Sequence, residues 1–201
     1  SSPAELRDVG FKAHELTSAG YSAKELKEGG FTSAEELREA GCMVAELKEG
    51  GFGARELKRG GYRAGDLVAG GFAARELKDG GFTASDLKDA GLTATQLKNA
   101  GYGVLALKGT GFSATDLKAI EYGAKELFAN GRGYSPSELK AVGFQAKALR
   151  AAGMSVQQLV DVNVSLEELK LAGYRASQLR EAKFTAVQLE AMGFTAHELR
   201  D

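Results

Sequence analysis

A strict period of ten residues constrains this chain more than any other feature. Leucine recurs at Leu6, Leu16, Leu26, Leu37, Leu47, Leu57, Leu67, Leu77, Leu87, Leu97, Leu107, Leu117 and Leu127. It continues at Leu139, Leu149, Leu159, Leu169, Leu179, Leu189 and Leu199. A fixed period of this kind marks a tandem array, in which each unit buries its apolar face against its neighbours. With this leucine at position 6, the unit reads aromatic, Ser/Thr, Ala, any, Glu, Leu, Lys, any, Ala/Gly, Gly. Fifteen of the sixteen aromatic residues stand at position 1, and Phe128 is the stray. The period slips twice: one extra residue within Thr32–Glu36, and two more, Arg132 and Gly133, after Gly131. No shift of composition accompanies either slip, so the expected organisation is a single array over residues 1–201.

Both ends of a short helix are written into the unit. Ser22-Ala23-Lys24-Glu25 has the form of a capping box, in which hydroxyl and carboxylate each satisfy a backbone N–H of the first turn. Pro3 and Pro136 both fall at position 3, where a first helical residue needs no N–H partner. Position 10 is Gly in sixteen of nineteen units, which suits a left-handed residue that ends a helix. Asn163 is an acceptable substitute there, while Glu121 and Lys183 are unexplained. The helix is expected over positions 3 to 9, with the aromatic joining the leucines on either side of it, as Phe52 joins Leu47 and Leu57. Gly29, at position 9, then lies inside a helix, so Gly29→Ala is expected to stabilise by about 0.5 kcal/mol. Gly91→Ala, at position 10, is expected to cost about 1 kcal/mol. A β-solenoid needs Val, Ile and Thr at period two, which this Ala-, Leu-, Lys- and Glu-rich unit lacks.

A helix this short is unstable alone and must be held by stacking. The predicted fold is therefore all-α: an α-solenoid of about twenty helix-turn units forming an elongated superhelix, with two or three helices per coil. The array resembles short-unit helical solenoids, in the general sense in which leucine-rich-variant, HEAT and tetratricopeptide arrays do. The resemblance is one of architecture along the whole chain. It implies an extended surface offered to a partner and transfers no binding residues.

Sites for chemistry are scarce. His14 and His197 are the only histidines and stand at opposite ends of the chain. Cys42 fills an aromatic slot and reads as a small core residue. Gly131-Arg132-Gly133 reads as a turn extension, and no Ser or Cys has a His and carboxylate to activate it. No catalytic, cofactor or metal residue is therefore assigned, and an enzyme is not expected. There is no export signal and no long apolar run, so no membrane partner is expected and a cytoplasmic location is slightly favoured.

Two binding readings remain. In the first, the chain is a non-catalytic scaffold for protein partners. Position 8 is acidic early (Glu28, Glu39, Glu49, Asp79, Asp89) and becomes Ala or Leu later. Apolar residues outside the consensus, Leu105, Phe128, Val160, Leu171 and Val187, are the candidate contact surface. The terminal units look uncapped, with Ser1 in an aromatic slot and Phe194 onward near consensus, so copies are expected to associate through array ends. In the second reading, position-7 bases such as Lys78, Lys88, Lys98, Lys108 and Lys118 form a ladder for nucleic acid or another polyanion. A net charge of −1, with 27 acidic against 26 basic side chains, disfavours that ladder.

Overall fold

The computed structural model describes residues 1–200, and among them it contains twenty α-helices and no strand. The chain forms two compact bodies, Ser1–Gly103 and the residues from Val104 onward. In the first, α1 to α10 are Pro3–Asp8, Ala13–Ser18, Ala23–Glu28, Ala34–Glu39, Val44–Glu49, Ala54–Arg59, Ala64–Ala69, Ala74–Asp79, Ala84–Asp89 and Ala94–Asn99. In the second, α11 to α20 are Val104–Gly109, Ala114–Ala119, Ala124–Phe128, Pro136–Ala141, Ala146–Ala151, Val156–Val160, Leu166–Leu171, Ala176–Glu181, Ala186–Ala191 and Ala196–Arg200. The helix covers positions 3 to 8, one residue fewer than the sequence suggests. Position 9 is the C-cap: Gly60, for example, has φ −75° and ψ 6°.

The predicted caps are present. Ser22 Oγ accepts from the Glu25 N–H at 3.3 Å, and the Ser22 N–H donates to Glu25 Oε2 at 2.8 Å. Where position 2 has no hydroxyl, half of the box survives, as in Gly53 N–H to Glu56 Oε2 at 2.7 Å. At the other end, Gly30 N–H donates to Lys27 O at 3.0 Å and Phe31 N–H to Leu26 O at 2.9 Å. This paired closure is the Schellman motif, and it brings the aromatic back toward the preceding leucine. Every position 10 has a positive φ, including Glu121 (65°), Asn163 (59°) and Lys183 (68°). The stacking therefore holds these three residues in the same left-handed turn that glycine adopts without a Cβ penalty.

Within each body, alternate helices stack: α1 on α3, α3 on α5, α2 on α4 and α4 on α6 in the first, and α13 on α15 and α15 on α17 in the second. Each coil of these solenoids thus has two helices. The position-6 leucines are the centre of the core; Leu57, Leu97, Leu139 and Leu179 are wholly buried. Tyrosines at position 1 link alternate units: Tyr62 Oη donates to Cys42 O at 3.3 Å and Tyr174 Oη to Met154 O at 2.6 Å. Stacking also corrects the expectation for Gly29. A Cβ there would lie 2.5 Å from Pro3 Cβ and 2.9 Å from the Ala4 nitrogen. Gly29 is a close-approach glycine, not a weak point inside a helix.

Both slips are absorbed outside the helices. In the first, Ser33 is the N-cap and α4 keeps its ordinary six residues, so the extra residue lies before the cap. In the second, α13 ends early at Phe128. Ala129, Asn130 and Gly131 then have φ of 46°, 55° and 82°, a left-handed turn that re-enters the pattern at Tyr134. Tyr134 N–H closes it by donating to Leu127 O at 2.8 Å.

Candidate functional site: the basic ladder and the outward face

The position-7 bases point along the stack. Lys27 Nζ donates to Gly51 O at 2.5 Å, two units on, and sits 4.2 Å from the centre of the Phe52 ring, three units on. It also lies 3.7 Å from Glu56 Oε2. One ammonium thus satisfies the carbonyl end of one helix turn and the negative face of the next aromatic. The arrangement repeats at Lys48 with Gly71 O and Phe72, and at Lys58 with Gly81 O and Phe82. In the second body Arg150 takes Ala172 O and Tyr174, and Lys170 takes Met192 O and Phe194.

This geometry bears on each residue of the proposed ladder. Lys78 is bonded to Gly101 O over Tyr102, Lys108 to Gly133 O over Tyr134, and Lys118 to Val142 O over Phe144. Lys88 and Lys98 also have partners. A phosphate recruiting Lys78, Lys108 or Lys118 has to displace a backbone carbonyl and an aromatic contact at each.

The rule leaves a trace in the sequence that simple periodicity misses. Where position 7 is not basic, the residue three units later is often not aromatic: Thr17 matches Cys42, Val68 matches Leu92 and Phe128 matches Met154. Thr17 keeps a polar version of the bond, its hydroxyl donating to Ala40 O at 3.3 Å. Two pairs break the rule: Lys140 with Val164, and Val160 with Phe184.

The apolar candidates separate into three kinds. Phe128 is buried at 6% exposure and fills a stacking slot, so it is core and offers no contact surface. Val160 is half-buried. Leu105, Leu171 and Val187 are exposed at 44%, 77% and 75%, on α11, α17 and α19. Sequence reasoning did not single out Met43, exposed at 64%, or Val9 and Phe11 in the first units. Phe194, in the last unit, is buried beneath Lys170.

Cys42, Tyr62 and Tyr134 are buried. Burial pushes the Cys42 thiol pKa up, with Glu46 adding to the effect, so the nucleophilic thiolate is disfavoured. Burial raises Tyr62 and Tyr134 to about 12. His14 lies in α2 and His197 in α20, one in each body. Among the described residues no group of three or more His, Cys, Asp or Glu side chains is placed to hold a metal, and no helix is long and apolar enough to cross a membrane.

Neither a curated protein nor a solved structure matches the chain. A family model described as a decapeptide repeat region matches residues 1–59, 32–104, 81–132 and 133–201, which together span the sequence. The ten-residue unit, the tandem helices and this match agree, and the chain belongs to the decapeptide repeat family.

Proposed function

We propose that the array is a non-catalytic scaffold that presents its outward side chains to protein partners. One observation carries this reading: constancy lies inside and variation lies outside. Positions 1, 3, 6, 7 and 10 are largely taken up by core, cap or stacking bonds, as at Phe52, Ala54, Leu57, Lys58 and Gly61. Position 4 runs through His14, Lys24, Glu35, Arg55, Leu105, Ser137 and Val187 without a structural requirement on its chemistry. A repeat that fixes its frame and frees its surface is suited to recognition. Exposed Leu105, Leu171 and Val187 supply apolar anchors of the kind that partner contacts use. Association between copies belongs to the same reading, and sedimentation over a concentration series measures it.

Photo-cross-linkers placed at Leu105, Leu171 and Val187 in the intact chain test the proposal. Discrete protein adducts are expected at one or more of these sites and are expected to be competed away by excess unlabelled chain. No competed adduct at any site, together with nucleic-acid binding that weakens steeply with salt, would replace the scaffold by the polyanion reading.

A further inference from the structure

The repeat contains its own template for a binding slot. At Lys27, Lys48, Lys58, Lys78, Lys108, Lys118 and Lys170 an ammonium bonds a carbonyl at the end of one unit and covers the aromatic ring that follows it. The slot recurs at Phe184, where the residue that ought to fill it is Val160. Unit 154–163 supports unit 174–183 in the usual way, with Tyr174 Oη on Met154 O at 2.6 Å. The turn ahead of Phe184 is also the usual one: Lys183 has φ 68°, and Phe184 N–H donates to Leu179 O at 3.1 Å. Valine is short and uncharged and brings no cation to that turn. Phe184 is half-exposed, as Phe144 is even beneath Lys118, while Phe52, Phe72, Phe82 and Phe194 are buried under their lysines. The other apolar slots differ, because Leu92 and Met154 replace the ring that attracts a cation. Among the units that have another three places before them, only this one keeps the ring while the paired position 7 is not basic.

We propose that the slot bounded by Val160, the Ala182–Lys183 turn and Phe184 receives a lysine side chain supplied by a protein partner. The partner ammonium takes the place of the absent position-7 base: it accepts the company of the ring face and donates to a turn carbonyl, as the chain's own lysines do. The proposal rests on the scaffold reading only in taking the lysine from a partner.

The test uses the intact chain and a small probe, N-acetyl-lysine methylamide, followed by NMR. Saturable shifts are expected at the Phe184 ring and the amides of residues 182–185, with none from the norleucine analogue, which lacks the charge. Val160→Lys fills the slot from within; it is expected to abolish those shifts and raise Tm. Phe184→Leu is expected to abolish them as well and gives a second variant should Val160→Lys fold poorly. Absence of saturable shifts, an equal response to norleucine, or an undiminished response in Val160→Lys overturns the slot. A stronger response to the arginine analogue overturns the lysine assignment. Competed cross-links at Leu171 with no probe binding would overturn the slot and leave the scaffold standing. Probe binding without any competed cross-link would do the reverse.

Discussion

A left-handed φ costs an ordinary L-residue energy that glycine avoids, and three units meet that cost. Glu121→Gly is expected to stabilise by about 0.5–1 kcal/mol, the relief of the left-handed turn less the added freedom of the unfolded chain. Urea unfolding measures it, and a loss of stability would mean that the Glu121 side chain contributes more than its backbone costs. The glycines near the helix ends divide by what surrounds them. Gly65 is the second residue of α7, with open space where a Cβ would stand, so Gly65→Ala is expected to stabilise by about 0.5 kcal/mol. Gly29→Ala forces a Cβ onto Pro3 and is expected to cost about 1–3 kcal/mol. The same pair of thermal melts reads both, and equal signs would contradict the packing. The position-10 turns were legible in sequence because their cause is local. The role of Gly29 was not, because the atoms it meets belong to the first unit.

At the scale of the element, six residues are too few to hold a helix in water, so caps and stacking decide its stability. The box carboxylates are one part of this. Hydrogen bonds from the Ser135 backbone and hydroxyl hold Glu138 below the usual carboxylate range, and Ser165 does the same for Glu168. Thr195 lowers Glu198 in the same way. A depressed folded pKa adds stability that is complete above the unfolded carboxylate value, near ~4.3, and is lost as pH falls through the lower folded values. Stability is therefore expected to decline as the medium is acidified below that point, and Glu138→Gln with Glu168→Gln is expected to make the decline shallower. Circular dichroism melts across an acid series measure it; an unchanged slope in the double variant would mean that these boxes do not couple to folding. The helix itself was readable one residue too long, since position 9 looks helical by composition and becomes a cap only because the chain must turn there.

At the scale of the whole molecule, the twenty-unit helical array was plain from the leucine period, whereas the number of helices per coil was not. Periodicity reports the length of a unit and says nothing of which unit it touches. The pairing of Thr17 with Cys42, Val68 with Leu92 and Phe128 with Met154 carries that information, because a base and a ring are replaced together when they are partners. The outward residues were legible only in part: Leu105, Leu171 and Val187 are exposed, but Phe128 is drawn into the core by the early end of α13. The basic ladder was visible as a pattern, yet its direction along the stack depends on turns two units away. The central claim is that, within each body, a position-7 base such as Lys58 joins its unit to the ring that stands three units later. A double-mutant cycle between Lys58→Met and Phe82→Leu in the intact chain, followed by urea unfolding, tests it most directly. A coupling of about 0.5–1 kcal/mol is predicted for this pair, with none between Lys58→Met and Tyr62→Leu, the ring nearer in sequence. Absence of coupling to Phe82, or equal coupling to Tyr62, would contradict the stacking on which the account depends.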